Sequence, residues 1–332
     1  MLIRLKEPVT GKQKIMENNI NFNTPLLFLI FNRPDTTQKV FDAIRQARPK
    51  YLYVAADGPR SDRICEKEKC ETTRAIIKQV DWDCEVKTLF REKNLGCGKA
   101  VSSAITWFFD NVEQGIILED DCLPDETFFG FCENMLEKYQ NDERIMMITG
   151  LNYMVNELSL LVKESYIFSR YFAIWGWATW KRAWKQYDIK MNGWETIKSQ
   201  DKLQSFYFQD IYKKHFFSIF DAACKKEIDT WDIQWFFSCL FNNGLSIVPK
   251  VNLISNIGII GTHTSEDLIN NFFPVFNIDN KNIVHPFLIY PDYFYDEFVY
   301  KRIINTSAKQ NIKVKIKGII VRVYYFIKSI IK

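Results

Sequence analysis

Apolar and polar positions alternate in blocks along the first half of the chain, and the period switches from block to block. Leu26 to Phe31 is a short apolar run closed by Asn32-Arg33-Pro34, which reads as a buried strand and a turn. Asp35 or Thr36 can cap a helix running to about Ala47, with Val40, Phe41 and Ile44 on one face. Tyr51 to Ala56 reads as a second strand, closed by Asp57-Gly58-Pro59, and a helix from about Cys65 to Gln79 follows. Glu85 to Phe90 is a third strand, Val101 to Phe109 lies in a third helix, and Gly115 to Leu118 is a fourth strand that runs straight into Glu119-Asp120-Asp121. A helix over Phe128 to Tyr139 and a strand over Arg144 to Ile148 complete the series.

Strands alternating with helices predict an α/β fold built on a mostly parallel central sheet flanked by helices. Such sheets bind ligands at the carboxyl ends of their strands. The polar clusters Asn32-Arg33, Asp57-Gly58 and Glu119-Asp120-Asp121 all fall at predicted strand ends. After Gly150 the alternation fades. Tyr171 to Trp184 holds Trp175, Trp177, Trp180 and Trp184; residues 200 to 228 read as helical, Asp232 to Asn242 as another helix, and Leu245 to Val248 as a strand. Four stretches result: a polar lead-in over 1–24, a ligand-binding half over 25–150, a second half over 151–300 that completes the cleft, and a tail over 301–332.

Composition narrows the class. With 332 residues, 47% apolar and 25% charged, the chain can bury a large core without staples. Its 15% aromatic content is mostly core material, and it also suits a cleft that stacks apolar faces of sugars. The eight cysteines include no C-x-x-C pair, which excludes a common zinc or redox motif and fits free thiols in a reducing cytoplasm. No secretory signal is recognisable and no apolar stretch reaches the roughly 20 residues of a membrane-spanning helix. Of the net +4, residues 301–332 supply +9 with no acid, leaving −5 for the rest, so a nucleic-acid binder is disfavoured. The tail interleaves those charges with Ile, Val, Tyr and Phe. That pattern suits either an anionic membrane surface, making the protein peripheral on the inner face, or a helix packed on the body.

Glu119-Asp120-Asp121 is the sharpest local feature. Three adjacent acids suit a solvated turn, but directly behind Ile116-Ile117-Leu118, with Pro124 starting a helix behind them, a bound cation is favoured. Magnesium or manganese would take carboxylate oxygens and leave positions for a diphosphate. Arg33 and Arg91, near strand ends, can bind phosphate through paired hydrogen bonds. Gly96-Cys97-Gly98-Lys99 resembles the end of a phosphate loop. However, Lys93 stands where its first glycine belongs and Ala100 follows the lysine, so a helix-capping turn with Lys99 near a phosphate is the better reading. In Trp231-Asp232-Ile233-Gln234-Trp235, Asp232 suits a general base walled by rings and equally a helix N-cap. His263, in Gly261-Thr262-His263-Thr264, suits a metal or diphosphate ligand as well as a surface turn; His215 and His285 have no supporting context.

In this order these residues resemble a nucleotide-diphosphosugar transferase of the type-A glycosyltransferase fold, with the closest likeness to the N-acetylglucosaminyltransferase I family and its bacterial relatives. The likeness covers roughly residues 25 to 265. Its core is Ile116-Ile117-Leu118-Glu119-Asp120-Asp121, then Pro124-Asp125 and Phe128-Phe129. The resemblance implies one nucleotide-sugar cleft, with Asp121 ligating Mn2+ or Mg2+ and Glu119 and Asp120 contacting the donor's sugar and ribose. It implies Phe31, Asn32 and Arg33 at the donor, with Arg33 on the diphosphate, and Asp57 before Gly58 at the uracil. Arg91 and Lys99 would add positive charge, Trp177 would lie near the sugar, Asp232 would be the base, and His263 would sit near the diphosphate. It implies an inverting transfer from a UDP-sugar to a glycan, lipid-linked or protein acceptor in surface polysaccharide or glycoconjugate synthesis. Two departures are visible: no His precedes His215 to match the family's uracil-contacting His, and the acceptor region of the eukaryotic members is not recognisable. A sugar-nucleotide nucleotidyltransferase is the main rival, though its glycine-rich first loop is missing after Phe31. A non-catalytic binding protein of the same fold is the other.

Overall fold

The apolar runs are buried strands, and their alternate residues feed two different cores. The structure, a computed structural model, describes residues 22–206, 209–258 and 273–303. Ten strands are present: β1 (Leu26–Ile30), β2 (Tyr51–Ala56), β3 (Glu85–Phe90), β4 (Gln114–Glu119), β5 (Cys122–Pro124), β6 (Ile145–Thr149), β7 (Tyr166–Ser169), β8 (Trp177–Trp180), β9 (Leu245–Pro249) and β10 (Ile254–Asn256). The α-helices are α1 (Pro34–Ala47), α2 (Glu66–Ala75), α3 (Cys97–Asn111), α4 (Phe128–Lys138), α5 (Leu158–Leu161), α6 (Lys181–Trp184), α7 (Trp194–Ser199), α8 (Asp210–Cys224) and α9 (Asp232–Phe241), with a further helix over 293–303.

Eight strands form one sheet in the order β3-β2-β1-β4-β8-β6-β9-β7. The pairs β1–β2, β2–β3, β1–β4 and β6–β9 are parallel, whereas β4–β8, β6–β8 and β7–β9 are antiparallel. Only β7 and β8 therefore run against the rest. On one face Phe28, Ile30, Val54 and Leu118 meet Val40 and Phe41 of α1 and Phe131 and Met135 of α4. On the other Leu27, Leu29, Tyr53, Ile117 and Trp177 meet Ile105 and Phe108 of α3, Phe216 of α8 and Trp235 of α9. A sheet covered on both faces explains why β1 and β6 read as unbroken apolar runs.

Several expectations change. α1 starts at Pro34, which needs no amide partner there, so neither Asp35 nor Thr36 is its cap; Thr37 Oγ1 instead donates to the Arg33 carbonyl at 2.6 Å. The helix expected over 200 to 228 is broken: Asp201 takes a left-handed φ of 51°, a short 3-10 turn covers Lys202–Ser205, and α8 begins only at Asp210. The tryptophan stretch contains strand β8, inserted between β4 and β6, so the sheet runs unbroken across the 150/151 boundary. All four β8 residues are buried, which removes the apolar–polar alternation that would mark a strand. His263 and residues 304–332 lie outside the described residues.

The helix over 293–303 is tied to β7 by Asp296. Its carboxylate accepts hydrogen bonds from Ser169 Oγ and from the Arg170 amide, and the residue is 4% exposed. Burial pushes the Asp296 carboxyl up to about 6, against the pull of those hydrogen bonds. A raised acid pKa favours folding in full below the unfolded value and loses that contribution as pH rises through the folded value. Asp296→Asn, which stays neutral, should therefore gain in Tm relative to the parent as pH rises from about 4 to 7; parallel Tm curves would show an ordinary carboxyl here.

Candidate functional site

Strand order fixes where a ligand can sit. β1 leads through α1 to β2 on one side, while its other neighbour, β4, arrives by way of β2, β3 and α3. The sheet reverses direction of growth between β1 and β4, and the helical connections leave a crevice at their carboxyl ends. Arg33 follows β1 and Glu119-Asp120-Asp121 ends β4, so the two clusters are brought together at that crevice.

Their contacts are close. Arg33 Nη2 lies 3.1 Å from Asp120 Oδ1, and Arg33 Nη1 lies 2.8 Å from Asp121 Oδ2. The second oxygen of Asp120 accepts from the Phe31 amide at 3.1 Å. Asp120 is almost wholly buried, so its pairing with a guanidinium and an amide is what makes a charge there tolerable. One cation is shared by two carboxylates with Glu119 adjacent. Burial, then the charges of Asp121, Asp120 and Asp232, hold the Glu119 carboxyl above the usual range, with Arg33 opposing. Glu119 Oε1 is buried without a hydrogen-bond partner, as is Trp177 Nε1. Glu119 and Trp177 lie on the same face of the sheet, because Trp177 pairs with Ile117. An acceptor and a donor left unsatisfied beside a charge cluster are what a bound polar ligand would complete.

The chain closes over this cluster from behind. β10 pairs with β5 in a small second sheet, and the Ile257 amide donates to the Asp121 carbonyl at 2.8 Å. A Cβ on Gly258 would stand 2.5 Å from Asp121 Oδ2 and 2.9 Å from Arg33 Nη1, so only glycine lets the backbone pass. The described segment stops there, five residues before His263.

The remaining predicted residues have identifiable partners. Asn32 Nδ2 donates to Glu66 Oε1 at 2.9 Å, and Glu66 is ion-paired with Arg60, whose guanidinium stands 5.6 Å from the Phe31 ring. Asp57 accepts from the Leu95 amide at 3.0 Å and the Gly58 amide at 2.9 Å, while Gly58 abuts the Lys93 backbone. Asp57 is thus already engaged in holding the turn before α3. Arg91 Nη2 donates to Ser103 Oγ at 2.7 Å, and Lys99 is exposed in the first turn of α3. Trp177 is fully buried, stacked on Trp231 with ring centroids 5.7 Å apart. It backs the wall of the site and does not face solvent.

Two features were missed by sequence reasoning. The amides of Cys97 and Gly98 are taken by the Asp229 carboxylate at 2.8 and 2.9 Å, so the glycine turn receives a carboxylate of the chain itself. Gly96 and Gly98 make that approach possible, since a Cβ on either would lie under 3.0 Å from an Asp229 oxygen. Asp229 thereby ties α3 to the segment carrying Asp232, which opens α9 and accepts from Thr230 Oγ1. Asp232 also borders a cavity of about 240 Å³ walled by Tyr153, Tyr171, Trp175, Phe216 and Phe236, with His215 as the other ionisable group. Burial holds the His215 imidazole below its ordinary value, which keeps it neutral near pH 7. Asp229 lies three residues ahead of α9, outside its cap position, and the helix it does cap is 132 positions away, so no local pattern marks it.

Among the described residues no three His, Cys, Asp or Glu side chains converge as a metal cage. The Asp121 carboxylate fits a cation that takes one or two protein oxygens and completes its shell with phosphate and water. Asp229→Ala should lower unfolding stability by about 1–2 kcal/mol through loss of the α3 cap, read from denaturant midpoints; an unchanged midpoint would show that water replaces it.

No protein-family model matches the chain, and no curated protein matches it. Among solved structures, it is similar to the inositol-1-phosphate CTP transferase of T. maritima at 9% identity, over 72% of this chain and 93% of that one, with a TM-score of 0.37. It is similar to 4-diphosphocytidyl-2C-methyl-D-erythritol synthase of Anaerococcus prevotii at 8% identity, over 68% and 88%, with a TM-score of 0.33. It is similar to the glycosyltransferase GlyE of Streptococcus pneumoniae at 10% identity, over 69% and 55%, with a TM-score of 0.27. Likenesses this distant assign no activity and do not place the chain in the N-acetylglucosaminyltransferase I family.

Proposed function

We propose that the protein is a cation-dependent glycosyltransferase of type-A fold that takes a sugar from a nucleotide diphosphosugar and passes it to a hydroxyl acceptor. The observation that carries this reading is the Arg33–Asp120–Asp121 cluster at the β1/β4 crevice, with Asp232 and an aromatic cavity beside it. Arg33 suits a diphosphate because its planar fork pairs with two oxygens at once. Asp121 would hold Mn2+ or Mg2+ against the same diphosphate, and the cation would offset charge on the leaving group. Arg60, half-buried beside Phe31 and paired with Glu66, would be a further cation near the donor. The cavity walls suit an acceptor with an apolar face and a hydroxyl.

In the proposed step the acceptor oxygen attacks the anomeric carbon while its proton passes to Asp232. The bond from that carbon to the diphosphate breaks, its electron pair leaves with the nucleoside diphosphate, and the anomeric configuration inverts. UDP is the first nucleotide to test.

Calorimetric titration of UDP with manganese should show binding that disappears with EDTA and in Asp121→Ala. Absence of UDP binding, together with binding of another nucleoside diphosphate, would reassign the base. Pyrophosphate release from a nucleoside triphosphate and a sugar 1-phosphate would replace the proposal with nucleotidyl transfer. Asp232→Asn should keep UDP affinity and lose about a hundredfold or more in transfer rate; activity above about a tenth of the parent would remove the base assignment.

A further inference from the structure

We propose that residues 284–294 form a bilayer-contact surface, fixed along the β7 edge of the sheet and suited to an anionic membrane. The strap is held at both ends. The Ser165 amide donates to the Val284 carbonyl at 2.8 Å, the Val284 amide donates to Ser165 Oγ at 3.0 Å, and the Asp292 amide donates to the Phe168 carbonyl at 2.8 Å. Between those anchors Phe287 is 96% exposed, Leu288 and Tyr290 are each 58% exposed, and Phe294 beyond them is 64% exposed. Isolated exposed apolar side chains are ordinary, but a run of them on one ordered strap is not.

These rings are not awaiting a place in the core. The helix that follows already turns Tyr295 and Val299 inward against Leu158, Ile167 and Val248, and Asp296 locks it to β7. The inner face is filled, and the outer face is left apolar.

Charge selects the occupant. The helix over 293–303 spans about 15 Å at 1.5 Å per residue, so residue 303 lies within about 15 Å of the end of the strap. The continuation, 304–332, holds Lys309, Lys313, Lys315, Lys317, Arg322, Lys328 and Lys332 and no acid. Phe and Tyr favour the interfacial layer of a bilayer, and clustered Lys and Arg favour anionic headgroups. One anionic surface meets both demands. Among the described residues no helix is long and apolar enough to cross a membrane. The inference is independent of the catalytic proposal, and it brings the strap's own side chains to the membrane as well as the basic tail.

The test uses the full chain and vesicles of phosphatidylcholine with and without phosphatidylglycerol. The parent should co-sediment with the anionic vesicles, and the double variant Phe287→Ser, Leu288→Ser should partition at least about tenfold more weakly, given the apolar area removed. UDP titration and circular dichroism of the variant report an intact body. Phe287→Trp should show extra fluorescence quenching by brominated phosphatidylcholine over the parent. Failure of the parent to bind, equal binding by the double variant, or no extra quenching would each overturn the proposal. So would a parent dimer in lipid-free solution that the double variant dissolves while neither binds vesicles, which would make the strap a self-association surface.

Discussion

The ion pairs of Arg33 with Asp120 and Asp121 are the constraint around which the first half of the molecule is arranged. They join the carboxyl ends of β1 and β4, the neighbours between which the sheet changes its direction of growth. Buried carboxylates in this number would repel one another, and the single guanidinium offsets only part of that charge. Under the proposed function, that remaining negative potential is what a cation carrying phosphate would offset. The same requirement explains Gly258: the backbone must pass within contact of both partners, and a side chain has no room.

A second tie gives the crevice its facing wall. Asp229 spans from the loop before α9 to the open amides of α3, where the helix dipole favours a carboxylate. That contact fixes the distance between the two helices that flank Glu119 on one face of the sheet. Behind them Trp177, Trp184, Trp231 and Trp235 pack ring against ring, with centroids 5.2 to 6.4 Å apart. Rings locked in this way give the start of α9, and with it Asp232, a rigid base. The tryptophans thus act as scaffold behind the site, where the Trp177 indole N–H is left without a partner.

At the far edge of the sheet the physics is different. There the polar anchoring groups face inward, on Ser165, Ser169 and Asp296, and the apolar groups of the strap face outward. This inverted arrangement is the basis on which a bilayer contact is proposed for the edge. The β1/β4 crevice and this edge lie at different places in the strand order, so a contact at β7 leaves the crevice open.

The sequence alone determined β1 to β4, β6 and their turns, because apolar runs, glycine and proline punctuation and helix periods are local signals; β5, where a helix starting at Pro124 is expected, is instead a strand paired with β10 about 130 positions away. The same local signals located Arg33, Asp57, Arg91 and the acidic triplet at strand ends. Tertiary structure alone decided which ends adjoin. The insertion of β8 between β4 and β6 is a pairing over about 60 positions from β4, and full burial erased the pattern that would have marked it as a strand. Resemblance to a Gly-Trp segment put Trp177 near the donor sugar, whereas pairing with Ile117 buries it in the core. Asp229, His215 and Arg60 carried no distinctive local pattern; their meaning comes from partners brought close only by folding. Hydrophobic period is written along the chain, whereas the distance between two charges is written only in space.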